Sequence, residues 1–170
     1  MNIRPYTVAA LSALTLLAQT ALAAGPATDH KLLERGKYLT QVGGCNDCHT
    51  PGYPESGGKT PTQQWLTGSS VGFQGPWGTS YPTNLRLRLR DLSEAQWLAR
   101  AHQPMRPPMP WFNLAAMTDQ DLVAMYRFIR NLGPAGAPAP SAAAPGVAVA
   151  TPYIEFVPKN LPVAAKHAQR

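Results

Sequence analysis

The chain has 170 residues and a formal net charge of +6; 14% of its residues are charged and 44% are hydrophobic. This length supplies one core of ordinary size and leaves little material for a second domain. The 15 Lys and Arg residues do not interleave with aromatic residues as they do on many nucleic-acid-binding surfaces. The composition therefore argues against a nucleic-acid partner, and the basic excess suits docking to an acidic protein.

The first 23 residues are organised like a cleaved export signal. Arg4 precedes an uncharged, Ala- and Leu-rich run over residues 6–22, and Ala21-Leu22-Ala23 suits cleavage next to Ala24. A retained membrane anchor is the alternative, but polar residues inside the run argue against it. We predict a signal peptide over 1–23, export to a bacterial periplasm, and no stable membrane span after signal removal.

Residues 28–42 show a helical pattern. Leu32 and Leu39 share one face with Gly36, and Gly43-Gly44 ends the pattern. Glycine inside a helix costs about 1 kcal/mol relative to alanine. Gly36 on the apolar face therefore indicates a close crossing with another helix.

The only two cysteines lie in Cys45-Asn46-Asp47-Cys48-His49, a C-x-x-C-H motif typical of covalent haem attachment. Two thiols at this spacing can add across the two vinyl groups of one porphyrin, and the adjoining imidazole can bind the iron. Cys45 and Cys48 are predicted as thioether anchors of one haem c, and His49 as an axial ligand. A structural zinc site needs four ligands and a thioredoxin-like dithiol follows a strand; the sequence around the motif shows neither pattern.

Residues 50–82 contain Gly and Pro throughout and no sustained periodicity, which predicts a long ordered loop. Aromatic side chains in such a loop suit either the wall of a haem site or ordinary core filling. These aromatic residues are Trp65, Phe73, Trp77 and Tyr81.

The segment from Leu85 to Arg90 alternates strictly between leucine and arginine. Alternation with period two predicts an extended segment, with leucines on one side and arginines on the other. We predict Arg86 as a partner of a haem propionate; a solvated basic edge is the alternative.

Ser93 and Gln96 have the spacing of a capping box and predict a short helix that ends near His102. The last helix is predicted to begin at Thr118 and to end at Gly133-Pro134. Met117, just before this helix, and Met125, on its apolar face, are assigned to packing.

Between these helices, residues 104–111 contain four prolines in eight positions and predict a stiff, non-helical loop. Met109 lies between two of these prolines, which fix its backbone in an extended form that can aim its thioether. A thioether opposite His49 favours reduced iron and suits an electron carrier. Met109 is the favoured sixth ligand, and Met105 and His102 are the alternatives.

Residues 134–151 are rich in Ala, Pro and Gly and poor in large apolar groups, which predicts a semi-extended linker. Residues 153–157 interrupt this composition. They could fold back onto the domain, pair with a partner or remain a loose tail, and we favour fold-back. The predicted division is a signal peptide over 1–23, one domain over 24–133, and a Pro/Ala-rich linker and tail over 134–170.

Residues 29–133 resemble the class I c-type cytochromes, which are small, all-helical, mono-haem electron carriers. The resemblance rests on the helix that leads into Cys45-Asn46-Asp47-Cys48-His49, the Met109 loop, and a last helix containing Leu122 and Tyr126. It implies an all-α, cytochrome c-like domain wrapped around one covalent haem, with long loops. It also implies that the first and last helices cross at Gly36 beside an aromatic residue.

A weaker resemblance is to haem modules in the cytochrome subunits of periplasmic dehydrogenases. It is carried by Gly75-Pro76-Trp77-Gly78-Thr79-Ser80-Tyr81 and by Asn84-Leu85. Those modules usually continue with a Thr-Pro-Asp turn, which Arg86-Leu87-Arg88 replaces here.

The sequence thus predicts a periplasmic electron-transfer protein, not an enzyme, with one covalent haem c ligated by His49 and Met109. The predicted partner is a redox protein such as a periplasmic dehydrogenase or a terminal oxidase. The alternative is a haem enzyme or a gas-binding sensor with an open distal position, in which Met109 only packs.

Overall fold

The computed structural model describes residues 26–160. The predicted signal peptide over 1–23 and residues 161–170 of the predicted tail lie outside this range. Within it, no helix has both the length and the apolar character needed to cross a membrane.

Helices dominate the regular secondary structure of the described residues, which also contain one small sheet. The helices are α1 (Pro26–Val42), α2 (Cys45–His49), α3 (Leu85–Arg90), α4 (Glu94–Ala101), α5 (Trp111–Ala115) and α6 (Asp119–Asn131). The strands are β1 (Gly72–Gly75), β2 (Gly78–Ser80) and β3 (Tyr153–Glu155), in the spatial order β2-β1-β3. The helical framework agrees with the predicted fold class, whereas the sheet was not predicted.

Helices α1 and α6 cross at Gly36, which is buried in the contact. A methyl group on Gly36 would lie 2.6 Å from the carbonyl carbon of Ala124 and 2.7 Å from Cβ of Phe128. Only glycine therefore lets the two backbones approach this closely. The predicted crossing at Gly36 beside an aromatic residue is confirmed.

The core extends from this crossing to the long loop through aromatic side chains. Trp65 packs edge-to-face against Tyr53 and Phe128, with ring centroids 5.8 and 6.2 Å apart. Trp97 of α4 is buried and donates its indole N–H to the carbonyl oxygen of Leu122 at 2.8 Å. Trp65 thus fills the core, one of the two roles that its position in the loop allowed.

The extended conformation predicted for residues 85–90 is wrong, because this segment forms helix α3. Asn84 caps the helix: its side-chain oxygen accepts from the backbone N–H of Leu87 at 3.0 Å. Leu89 is buried against the core while Arg88 and Arg90 are exposed. Six alternating residues fit both a strand and a helix, and the cap together with packing on α6 selects the helix.

The caps predicted for α4 and α6 are present, whereas α1 begins at Pro26, ahead of the cap expected at Thr28-Asp29. Ser93 and Gln96 form both bonds of the capping box at α4, of 2.9 and 3.2 Å. The Thr118 hydroxyl accepts from the backbone N–H of Asp121 at 3.2 Å and caps α6. Helix α5, which begins directly after Pro110, was not predicted.

The segment after α6 folds back onto the domain. β3 pairs in parallel with β1, and the Phe156 ring packs against Phe73 and Trp77, with centroids 5.7 and 6.2 Å apart. This confirms the fold-back of residues 153–157. Residues 134–151, predicted as a linker, are also fastened to the domain, because Ala143 forms a bridge with Thr79.

We predict that Gly36→Ala lowers the free energy of unfolding by about 1–3 kcal/mol, because the added methyl group overpacks the crossing of α1 and α6. Denaturant unfolding monitored by circular dichroism measures this change. Gln41→Ala, at an exposed position of the same helix, is the matched control and should stay within about 0.5 kcal/mol of the native protein. Equal stability of Gly36→Ala and the control would contradict the close crossing.

Candidate functional site

The C-x-x-C-H motif forms helix α2, which follows α1 after a sharp turn. Gly44 makes the turn with φ 69°, a left-handed conformation that glycine adopts without strain. Within α2, Cys45 and Cys48 are three residues apart and therefore lie on one face, where both are half-buried. The turn thus presents both sulfurs on one side of α2 while His49 is buried.

His49 is held in one tautomer by a backbone acceptor. Its Nδ1 lies 2.7 Å from the carbonyl oxygen of Thr83. A carbonyl oxygen can only accept, so Nδ1 carries the hydrogen and Nε2 keeps a free lone pair. Burial lowers the pKa of the His49 imidazole and keeps it neutral. His49 could therefore bind a metal through Nε2, and its predicted role as an axial ligand stays a prediction.

A hydrogen-bonded chain fixes the backbone around His49. The Thr50 hydroxyl donates to the Asn46 side-chain oxygen at 2.7 Å and accepts from the backbone N–H of Leu66 at 2.8 Å. The backbone N–H of Gly68 donates to the carbonyl oxygen of His49 at 2.8 Å. Sequence analysis did not identify these residues, because nothing in the C-x-x-C-H motif indicates which residues hydrogen-bond to the backbone around His49.

The two cysteine sulfurs favour an uncharged state. Burial raises the pKa of the Cys45 thiol to about 11 and also raises the pKa of the Cys48 thiol. A neutral thioether suits such a setting, whereas zinc sites bind thiolates. Over residues 26–160, no three or more His, Cys, Asp or Glu side chains cluster as metal ligands. The motif residues thus fit a covalently attached haem and do not fit structural zinc.

Three methionines lie half-buried at the edge of the same core as Cys45: Met105, Met109 and Met117. The methyl group of Met117 and the Cys45 sulfur both lie near Gly43, where an added Cβ would be 3.5 and 3.8 Å from them. Met125 is fully buried in α6, in the packing role predicted for it. Met109 lies two residues before α5, in a loop that the Ser80 hydroxyl holds by donating to the Pro107 carbonyl oxygen at 2.6 Å.

His102 is engaged elsewhere. Its Nδ1 lies 3.1 Å from the carbonyl oxygen of Ala115, and its Nε2 lies 3.0 Å from an Asp119 carboxylate oxygen. The hydrogen bond to Asp119 raises the pKa of His102. Because both ring nitrogens have partners at the surface, the structure argues against His102 as an axial ligand.

Arg86 is buried, and its guanidinium donates hydrogen bonds to three backbone carbonyl oxygens. Its Nε donates to Gly133 at 2.5 Å, one terminal nitrogen donates to Gln63 at 2.6 Å, and the other donates to Leu132. Leu132 is the C-cap of α6 and Gly133 follows it, at the end of the helix where carbonyls lack partners inside the helix. Arg86 therefore ties α3 to the end of α6, and its predicted contact with a propionate stays a prediction.

A groove of about 460 Å³ opens beside Cys48. Residues 67–71 form one side and Gly136–Pro140 of the folded-back segment form another. Its lining includes neither His49 nor Met109, so it is not the space between the two predicted axial ligands.

Comparison with known proteins agrees with this geometry. The family profile described as Cytochrome c matches residues 33–133, a range that begins in α1 and ends just after α6. No solved structure matches the chain.

Two curated relatives are cytochrome subunits of dehydrogenases. The cytochrome c subunit of an alcohol dehydrogenase (quinone) from Gluconacetobacter polyoxogenes is 29% identical over 131 residues, which is 71% of this chain and 26% of that protein. The cytochrome subunit of a fructose dehydrogenase from Gluconobacter japonicus is 28% identical over 160 residues, covering 84% of this chain and 31% of that protein. The chain thus spans about a quarter to a third of the length of these relatives.

We predict that Arg86→Met destabilises the protein by at least about 2 kcal/mol, because it leaves buried carbonyl oxygens without donors. Arg88→Met on the same helix is the matched control. Its guanidinium is exposed, so its effect should stay within about 0.5 kcal/mol. Denaturant unfolding of the two variants measures the difference, and similar values for both would refute the tie between α3 and α6.

Proposed function

Because this chain belongs to the cytochrome c family, we propose that it is a single-haem electron carrier whose iron is ligated by His49 and Met109. Membership of the family makes the chain an electron-transfer protein with covalently bound haem c. The axial pair, the attachment through Cys45 and Cys48, the partner and the location are the parts that we propose.

The observation that carries the proposal is the hydrogen bond from His49 Nδ1 to the Thr83 carbonyl oxygen. It leaves Nε2 free and orients the ring, while burial lowers the pKa of the imidazole and favours its neutral form; a proximal ligand needs all three. When bound, haem c supplies a one-electron couple, and a His/Met pair raises its potential.

Met109 is the better-placed thioether because the backbone on both sides of it is fixed. The Pro107 carbonyl oxygen accepts from Ser80, and the Met109 carbonyl oxygen accepts from the backbone N–H of Trp111 at 2.8 Å. Pro108 and Pro110 restrict the residues next to it. Because this backbone is already fixed, little further backbone entropy is lost when the side chain binds a metal, which supports Met109 over Met105.

We place the protein in the periplasm, because covalent haem and the predicted signal over 1–23 both point outside the cytoplasm. Its electron donor is proposed to be a dehydrogenase, because the named relatives are cytochrome subunits of dehydrogenases. The chain then carries electrons for that enzyme and transforms no substrate itself.

Met109→Ala is expected to remove the weak long-wavelength band of the ferric protein that marks ligation by a thioether, and to let carbon monoxide bind the ferrous protein. The alanine cannot ligate, so the sixth position opens. Met105→Ala is the control and should change neither property. If the two variants exchange behaviour, the ligand is Met105; if neither changes, the alternative of a haem enzyme or sensor with an open distal position is favoured.

Electrostatic steering provides a second test. The hydrogen bond with Arg90, and the nearby charges of Arg88 and Arg130, lower the pKa of the Asp91 carboxyl group. The end of α3 and Arg130 of α6 thus form a local basic cluster. We expect the second-order rate of reduction by an acidic partner to fall between low and physiological ionic strength, where the screening length is about 8 Å.

Replacing Arg88 and Arg90 by glutamine should reduce this dependence on salt. Arg86 is left unchanged because it is buried. Lys59→Gln, in the long loop, is the control for loss of one positive charge elsewhere. Stopped-flow kinetics over a salt series measures the rates, and a native rate that is indifferent to salt would mean that docking is apolar.

A further inference from the structure

The segment that follows α6 first contacts the domain beside Thr83, whose carbonyl oxygen accepts from His49. Asn84 is buried, and its side-chain N–H group donates to the carbonyl oxygens of Ala135 and Ala137 at 2.8 and 3.1 Å. The preceding residue is Thr83, whose carbonyl oxygen binds His49. The start of this segment is thus fastened one residue away from the group that orients His49.

Further along, the same segment contacts the β1–β2 hairpin and the loop that contains Met109. Ala143 and Thr79 exchange two backbone hydrogen bonds, of 2.9 and 3.0 Å. An added Cβ on Gly78 would lie 2.7 Å from the Ala144 carbonyl carbon, so the segment lies directly on the β1–β2 hairpin. Arg106, in the Met109 loop, also donates to the carbonyl oxygen of Ala143 at 3.4 Å.

The β1–β2 hairpin also contacts the Met109 loop, so it connects this segment to that loop. Ser80, next to Thr79, donates its hydroxyl hydrogen to the carbonyl oxygen of Pro107 at 2.6 Å, while its approach to the Phe73 carbonyl is longer, at 3.5 Å. Pro107 is two residues before Met109. The outer side of the hairpin is closed by β3 and by a 2.5 Å contact between the hydroxyl groups of Tyr81 and Thr151.

We propose that residues 135–156 form a strap that positions the Met109 loop relative to His49, with Ser80 as the positioning residue between the strap and the loop. One continuous segment is hydrogen-bonded to Asn84, next to the Thr83 carbonyl that binds His49. Through the β1–β2 hairpin, the same segment is connected to the Met109 loop. The strap therefore determines how strongly Met109 competes with other ligands for the sixth coordination position of the iron. This inference rests on the proposed ligation by Met109.

The test is an imidazole titration of the ferric, haem-loaded full chain, followed by visible absorption, because imidazole competes with Met109 for the sixth position. Ser80→Ala should bind imidazole about three- to ten-fold more tightly, the effect of one lost hydrogen bond on loop anchoring. Ser80→Thr keeps the hydroxyl group and should restore the native affinity. Ser141→Ala, at an exposed position of the strap, is the matched control and should have no effect.

A chain that ends at Pro134 lacks the strap but keeps the Gly133 carbonyl that binds Arg86. It should bind imidazole more tightly than Ser80→Ala does. If this chain does not fold, the pair Ser80→Ala and Ser80→Thr decides the question alone. If the shortened chain and Ser80→Ala unfold at a lower temperature but bind imidazole with unchanged affinity, the strap only stabilises the fold, and the proposal is overturned.

Met109→Ala separates this proposal from the proposed function. If Met109→Ala leaves the imidazole affinity unchanged, the assignment of Met109 as ligand is overturned, and the strap loses its target. If Met109→Ala raises the affinity while Ser80→Ala and the shortened chain do not, the ligand stands and only the strap is overturned.

Discussion

The hydrogen bond between His49 Nδ1 and the Thr83 carbonyl oxygen is the constraint on which the site depends, because it fixes both the tautomer and the plane of the imidazole. It requires the segment 82–84 to lie against α2. Gly68 makes this approach possible: an added Cβ would lie 2.7 Å from the Asn84 backbone nitrogen and 2.9 Å from the Pro82 carbonyl oxygen. Its φ of 79° is also a conformation that favours glycine. A glycine in the long loop thus sets the orientation of the predicted iron ligand.

Features that depend on local chemistry could be predicted from the sequence. The C-x-x-C-H motif, the capping box at Ser93 and the Gly36 crossing each need only neighbouring residues or one helix face. Helix α3 was missed although its signal, Asn84 at the N-cap, was present. The leucine–arginine alternation concealed it, because a six-residue segment has too few positions to separate periods of 2 and 3.6.

Other features could not be predicted because their partners are backbone atoms distant in sequence. The Thr83 carbonyl oxygen carries no side-chain signal, and nothing in residues 85–90 shows that Arg86 meets the end of α6. An arginine is expected in solvent unless its charge is compensated. Here the carbonyls that end a helix, at the negative end of its dipole, supply the compensation. The β1–β3 pairing likewise joins segments separated by four helices, α3 to α6.

The long loop, irregular in sequence, is the part that connects the two predicted axial residues. Leu66 in this loop donates its backbone N–H to the Thr50 hydroxyl and accepts from the backbone N–H of Leu85 in α3. The Gly68 backbone N–H binds the His49 carbonyl oxygen, and Thr83, just after the loop, binds the His49 ring. The Ser80 hydroxyl binds the Met109 loop. Leu66 itself holds a φ of 62°, a strained conformation for a side chain of its size that persists only where its surroundings impose it. A carrier that accepts and releases one electron needs its ligands in the same place in both oxidation states. Rigid support of this kind, built from many short hydrogen bonds in place of regular secondary structure, meets that need.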